Sequence, residues 1–195
     1  SGSKLDNFAR EFPNRFFDCG IAEEHAATFA AALAASGKRP FLSVYSSFLQ
    51  RAYDSVNHDI ARMDLPVVIG IDRCGLVGKD GATHHGVFDI SMLHAIPNLI
   101  LSQPKDADEA RALLREAFAQ EHPFCIRYPR GNVPYTKGEV QAPIGTWERW
   151  CTDGDPKVCV ITYGGDVDRI REKALANHFA IEVVNARYFK TPDEK

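Results

Sequence analysis

Pro66-Val67-Val68-Ile69-Gly70-Ile71-Asp72 is an apolar run of strand length. Directly after it comes a long stretch, Arg73 to Asp89, with four glycines, two adjacent histidines and no apolar periodicity. Successive apolar positions suit a strand covered on both faces, whereas strict alternation would mark a strand with one wet face. Pro40 to Tyr45, Asn98 to Ser102 and Phe124 to Tyr128 have the same character. Helical patterns lie between these runs. The alternation predicts an α/β fold: an open, mostly parallel sheet with helices on both faces. A loop as long as Arg73 to Asp89 inside such a domain is usually functional or disordered, and it leaves the sheet at the end where open α/β folds bind ligands.

Working outward, Glu23 to Ser36 is rich in alanine and apolar all round, which predicts a buried helix rather than an amphipathic one, stopped by Gly37. Ser47 to Met63 repeats Phe48, Ala52, Val56, Ile60 and Met63 at helical spacing, so that face is expected on the sheet. A third helix is expected to start at Asp106-Ala107-Asp108-Glu109, a capping-box-like sequence with acid in the first turn, and to run through Leu113, Leu114, Ala117 and Phe118. From Gly131 to Asp155 proline, glycine, lysine and isolated aromatics read as an interdomain linker. Lys157 to Tyr163, Asp166 to Asn177 and Ala180 to Asn185 then read as strand, helix and strand. One such unit is too small to close its own core. The expected division is therefore a first domain over 1–138, and a linker with a truncated C-terminal α/β domain over 139–195.

The chain has 195 residues, 45% of them hydrophobic and 25% charged, and a net charge of -3. That balance gives no electrostatic argument for nucleic acid or an anionic membrane surface. No apolar run approaches the roughly 20 residues that span a bilayer. Ser1-Gly2-Ser3-Lys4 carries no secretory or transit pattern. Cys19, Cys74, Cys125, Cys151 and Cys159 fall singly, which argues against structural zinc and a disulfide framework and for reduced, cytoplasmic thiols.

Several residues could carry chemistry. Glu23 stands at the entry of the alanine-rich helix, where an acid favours a helix N-terminus but, if buried, must find a partner. Tyr45, Phe48 and Arg51 lead out of a strand, a place for core aromatics and surface charge as much as for a ligand platform. In the loop, Arg73, Lys79, Asp80, His84 and His85 offer charge and proton transfer near neutral pH, and the glycines allow close backbone approach. No third ligand at suitable spacing makes the histidines a metal site. Arg127 and Arg130 end the last strand of the first domain and could fork onto a phosphate or carboxylate, or pair with acids. Together these residues suggest a site for a small anionic ligand; they name no reaction.

Four segments resemble one known family in order and spacing. Gly20-Ile21-Ala22-Glu23-Glu24-His25, Tyr45-Ser46-Ser47-Phe48-Leu49-Gln50-Arg51-Ala52-Tyr53-Asp54, Gly81-Ala82-Thr83-His84-His85-Gly86 and Ile126-Arg127-Tyr128-Pro129-Arg130-Gly131 are similar to the 1-deoxy-D-xylulose-5-phosphate synthase family. The matching part is its transketolase-like pyrimidine-binding domain, and the resemblance is strong over residues 15 to 135. It implies that Glu23 is catalytic, hydrogen-bonding the aminopyrimidine ring of thiamine diphosphate, with Phe48 stacked on that ring. Tyr45, Arg51, Asp80 and His84 are implied around pyruvate, with His84 also catalytic. Arg73 and Arg130 are implied on the phosphate of glyceraldehyde 3-phosphate. The family reaction condenses the two substrates with loss of carbon dioxide to give 1-deoxy-D-xylulose 5-phosphate, a precursor of isoprenoids, thiamine and pyridoxal, and its members are homodimers using Mg2+.

This sequence departs from the family at Glu24, Ser47 and Lys79, none of which removes a proposed catalytic group. The Gly-Asp-Gly start of the diphosphate-binding domain is not found: Asp153-Gly154-Asp155 has the wrong order and setting. The chain is therefore expected to hold no metal, to bind the cofactor weakly and to be inactive without the missing diphosphate-binding domain. A transketolase C-terminal section, the β subunit of a 2-oxoacid dehydrogenase and a non-catalytic module are the competing readings.

Overall fold

A computed structural model describes residues 3–133, 135, 137–152 and 154–190. Asp153, part of the Asp-Gly-Asp sequence discounted above, lies outside the described residues. The apolar runs form strands β1 (Phe41–Tyr45), β2 (Val68–Asp72), β3 (Ile100–Ser102) and β4 (Phe124–Arg127), in a parallel sheet of order β1-β2-β4-β3. Tyr45 pairs with Asp72 and Ile71 with Arg127, so these strands end at one edge. That edge carries the long loop.

Both faces of the sheet are covered, as successive apolar residues require. Ile69 and Ile71 join one core with Ala27, Ala30, Ala31, Ala34, Ala52, Val56 and Ile60. Val68, Phe124 and Ile126 face a second core with Leu113, Ala117, Ala142 and Tyr188.

The helices carry two corrections. Helix α1 (Asp6–Glu11) precedes α2 (Glu23–Ala35), which buries only the stripe Ala27, Ala30, Ala31 and Ala34; Thr28, Ala32 and Ala35 are exposed, so this alanine-rich helix is one-sided here. The next helical run comprises α3 (Ser46–Leu49), a 3-10 turn (Gln50–Ala52), α4 (Tyr53–Ser55) and a π turn (Val56–Ala61). Leu49, Ala52, Val56 and Ile60 pack on the sheet, but Phe48 is only half-buried and Met63 is 65% exposed. A π turn closes i to i+5 and slips the helical phase, which carries Met63 off the expected face. Helix α5 (Asp89–His94) follows the loop, and α6 (Ala107–Ala119) buries Leu113 and Ala117 while Leu114 and Phe118 face outward.

The stretch read as linker is linker only in part. Val140 and Ala142 pack against the second core, and Glu148–Cys151 forms β5, antiparallel to β7 (Ile181–Asn185). The expected strand-helix-strand unit is present as β6 (Val158–Thr162), α7 (Asp166–Ala176) and β7, with β6 parallel to β7. The segment after β7 returns to the first sheet: Tyr188 bridges Ser102, and the Phe189 N–H bonds the Leu101 carbonyl at 3.0 Å. Among the described residues no helix is long and apolar enough to cross a membrane.

Candidate functional site

The candidate residues form one connected cluster above the strand ends. Glu23 opens α2 with its side chain 12% exposed, and Arg51 Nη1 reaches its Oε2 at 3.2 Å. The Arg51 guanidinium also lies 5.4 Å from the Phe48 ring centre. Phe48 stacks with Tyr45 at 5.5 Å and meets the His84 ring edge-on at 5.2 Å. Tyr45, last in β1, carries the Arg73 guanidinium over its ring at 3.8 Å, a cation–π contact. Arg73 Nε donates to Asp80 Oδ2 at 3.0 Å, and Arg130 Nε approaches the same oxygen at 3.1 Å. The cluster thus runs without a break from Glu23 to Arg130.

Local backbone explains the placement. Arg73 leaves β2 with φ of 63°, an unusual left-handed turn for a residue with a Cβ, and its N–H and Nη1 both donate to Asp72. Burial pushes the Asp72 carboxyl up, and the charge and hydrogen bonds of Arg73 offset this only partly. Burial pushes the neighbouring Tyr128 phenol up to about 12, with the Asp72 charge acting in the same direction. The loop folds into short 3-10 turns, Gly78–Asp80 and Ala82–His84, closed at its base where Gly75 and Gly86 exchange two backbone hydrogen bonds of 2.8 Å each. The adjacent histidines diverge. His84 faces Phe48, whereas His85 Nδ1 accepts the Val77 N–H at 3.2 Å, an assignment that leaves its proton on Nε2.

The two arginines ending the last strand also diverge. Arg127 is turned into the fold: its side chain is 5% exposed, its Nε and Nη2 donate to Asp89 at 3.0 Å each, and Nη1 donates to Gln103. Burial alone would lower the Arg127 pKa; the hydrogen bonds to Asp89 hold it above the usual value. Arg130 is 44% exposed, and its contact with Asp80 is worth no more than about 1 kcal/mol in so wet a setting. An arriving anion can displace it. Arg73 and Arg130 are thus held a single carboxylate apart, an arrangement suited to forking onto a phosphate.

Sequence reasoning missed Asp89, 1% exposed, which also accepts from the Cys74 thiol at 3.1 Å. The signal was an acid within Val87-Phe88-Asp89-Ile90 and an arginine ending the apolar strand Phe124-Cys125-Ile126-Arg127: charges in apolar settings must pair. It also missed Ser46 and Ser47, whose buried hydroxyls have no partner among the described residues and line a cavity of about 110 Å³ with Gln50, Thr83, His85 and Phe88. Among the described residues no group of three or more His, Cys, Asp or Glu side chains could hold a metal ion.

The transketolase pyrimidine-binding domain family matches residues 1–136. The 1-deoxy-D-xylulose-5-phosphate synthase of Listeria welshimeri is 50% identical over 200 residues, covering 99% of this chain and 31% of that protein. That of Aquifex aeolicus is 50% identical over 198 residues, covering 100% of this chain and 31% of that protein. The chain therefore spans about a third of the length of these curated relatives. Among solved structures, a split-gene transketolase described as an inactive beta4 tetramer superposes with a TM-score of 0.81 at 30% identity, covering 95% of this chain and 62% of that one. A Pichia stipitis transketolase gives 0.79 at 18% identity, covering 90% and 27%, a likeness of fold alone.

Proposed function

Because the chain belongs to the transketolase pyrimidine-binding domain family, we propose that it supplies the aminopyrimidine-facing and substrate-facing side of a 1-deoxy-D-xylulose-5-phosphate synthase active site. The whole enzyme would join pyruvate to glyceraldehyde 3-phosphate with loss of carbon dioxide, in the cytoplasm. In this reading residues 1–138 are the pyrimidine-binding domain, and residues 139–195 hold the linker and part of a further α/β unit. The observation that carries the proposal is the unbroken cluster from Glu23 through Arg51, Phe48, Tyr45, His84, Arg73 and Asp80 to Arg130.

The residues present fit the organic half of thiamine diphosphate. A largely buried carboxylate beside a half-buried aromatic ring offers a hydrogen bond and a stacking surface to an aminopyrimidine. The bound cofactor would supply the nucleophilic carbon for attack on pyruvate. Glu23 would hold the ring through its hydrogen bond, with Phe48 against the ring face. His84 and Tyr45 would border the reacting carbons, and His84 would move a proton at its ring nitrogen. Arg73 and Arg130 would turn from Asp80 onto the aldehyde's phosphate, and Arg51 would turn from Glu23 toward the pyruvate carboxylate. Neither the Mg2+ nor the diphosphate is assigned to the residues of this cluster. Those groups would be held by a diphosphate-binding domain outside this chain, and a homodimer is the proposed assembly.

Identity of 50% to the synthases over nearly the whole chain, against 17–30% to transketolases of solved structure, favours the synthase over the transketolase reading. The test is turnover of the two substrates with thiamine diphosphate and Mg2+, using the chain alone and the chain with a separately expressed diphosphate-binding domain from a relative. Product is expected only in the mixture, and Glu23→Gln is expected to lower it by about 10²–10⁴-fold. A mixture that demonstrably associates yet forms no product would favour the non-catalytic reading. An undiminished Glu23→Gln rate would remove the proposed role of that acid.

A further inference from the structure

Arg127 is a buried charge with all three guanidinium nitrogens hydrogen-bonded, and the cluster assigned to the reaction does not use it. Its guanidinium fork grips both oxygens of Asp89 at 3.0 Å and reaches Gln103 with its remaining nitrogen. Asp89 opens α5 directly after the long loop and accepts from the thiol of Cys74 at the loop's start, at 3.1 Å. Burial, with the Asp89 charge adding to it, keeps that thiol protonated and therefore a donor. The Cys74 N–H is bonded in turn to the Tyr128 carbonyl at 3.0 Å, one residue beyond Arg127. Both feet of the loop thus stand on the end of β4. Between them lies a compact Ω-shaped segment, closed by Gly75 and Gly86, that carries Asp80 and His84.

The same guanidinium is approached from the second sheet. Tyr163, just after β6, and Phe189, shortly after β7, place their ring centres 5.8 and 5.7 Å from its central carbon. The two rings pack edge-on at 4.8 Å and 82°. Two aromatic rings against one buried guanidinium restrict its orientation, and a fork must be held in plane to keep a bidentate carboxylate.

We propose that Arg127 is a positioning residue: steadied by Tyr163 and Phe189, it transmits the seating of the second sheet to the feet of the loop and so orders Asp80 and His84. The functional importance of those two residues rests on the proposed synthase reading. The coupling itself does not.

The test is backbone amide hydrogen exchange on the 195-residue chain, comparing amides of Gly78 to His85 with amides of β2 and α2. Tyr163 is 41% exposed, so Tyr163→Ala leaves the fold standing while removing one ring from Arg127. It is expected to speed loop exchange by about threefold to tenfold with β2 unchanged, the pattern of local rather than global opening. Arg127→Lys keeps the charge but loses the fork, and should speed the loop by about tenfold or more. Adding Tyr163→Ala to Arg127→Lys should produce little further change, because the two act through one contact. Unaltered loop rates in Tyr163→Ala, or equal acceleration of loop and β2, would overturn the proposal. In the reconstituted turnover assay Tyr163→Ala should raise KM for pyruvate and lower kcat, each by about threefold or more, because the loop carries both the pyruvate-side Asp80 and the proton-moving His84. Should pieces that demonstrably associate fail to turn over, the synthase reading fails, and the exchange result still decides the coupling.

Discussion

At the scale of single residues, the site depends on close approaches that leave no room for ordinary side chains. A Cβ on Gly86 would lie 2.4 Å from the Arg73 carbonyl oxygen and 2.4 Å from Ser46 Oγ. The serine can rotate, but the carbonyl belongs to a backbone already turned to positive φ at Arg73, so it cannot yield cheaply. Gly86→Ala is therefore expected to cost about 1–3 kcal/mol, read as a lower urea midpoint with an unchanged slope. A cost under about 0.5 kcal/mol would mean that the loop base is looser than its paired Gly75 and Gly86 hydrogen bonds imply. The glycine-rich stretch was legible in the sequence as a long loop leaving the sheet, because it has no apolar periodicity. Which glycine bears the constraint was not, since contact with Ser46 arises only when β1 and β2 lie side by side.

At the scale of elements, periodicity revealed what local chemistry controls and lost what pairing controls. The four parallel strands were readable because burial on both faces forces continuous apolar runs. Strand β5 was not: Glu148-Arg149-Trp150-Cys151 has no such run, and it becomes a strand through its antiparallel partner β7. Met63 failed for another reason, the π turn before it, which no apolar count reveals. The Arg127–Asp89 pair was missed because charges were read one at a time. The start of α6 was legible in full. Asp106 caps the helix by accepting the Glu109 N–H at 2.8 Å, while Glu109 reaches back to the Lys105 N–H at 2.7 Å, one residue earlier than in a standard capping box. Asp106→Ala should cost about 0.5–2 kcal/mol of unfolding free energy, with Asp106→Ser recovering most of it. Equal losses in both variants would assign the effect to the contact of Asp106 with Lys105 instead.

At the scale of the whole molecule, the question is what joins the two sheets. The second sheet is thinly covered, with Val158 and Ile161 56% and 64% exposed, so its own core contributes little. Beside the return of Tyr188 and Phe189 to the first sheet, one join is polar and buried. Glu109 on α6 is fully buried, accepting from Arg187 Nη1 at 3.0 Å and from Asn185 Nδ2 at 2.9 Å, and Arg187 also donates to the Thr146 carbonyl at 2.8 Å. A buried ion pair adds little net stability over an apolar replacement, but losing one partner strands the other charge. Arg187→Met should therefore cost about 3–5 kcal/mol in urea unfolding. The double variant Arg187→Met with Glu109→Leu should recover a large part of that loss, because no charge is left unpaired. If the pair is the join, the single variant should also separate the melting of the second sheet from that of the first, seen as a second transition in calorimetry, and the double variant should restore one transition. An Arg187→Met protein that unfolds in one step at nearly the original midpoint would show that the sheets are held instead by the return of Tyr188 and Phe189 to β3, and the test would then move to those contacts.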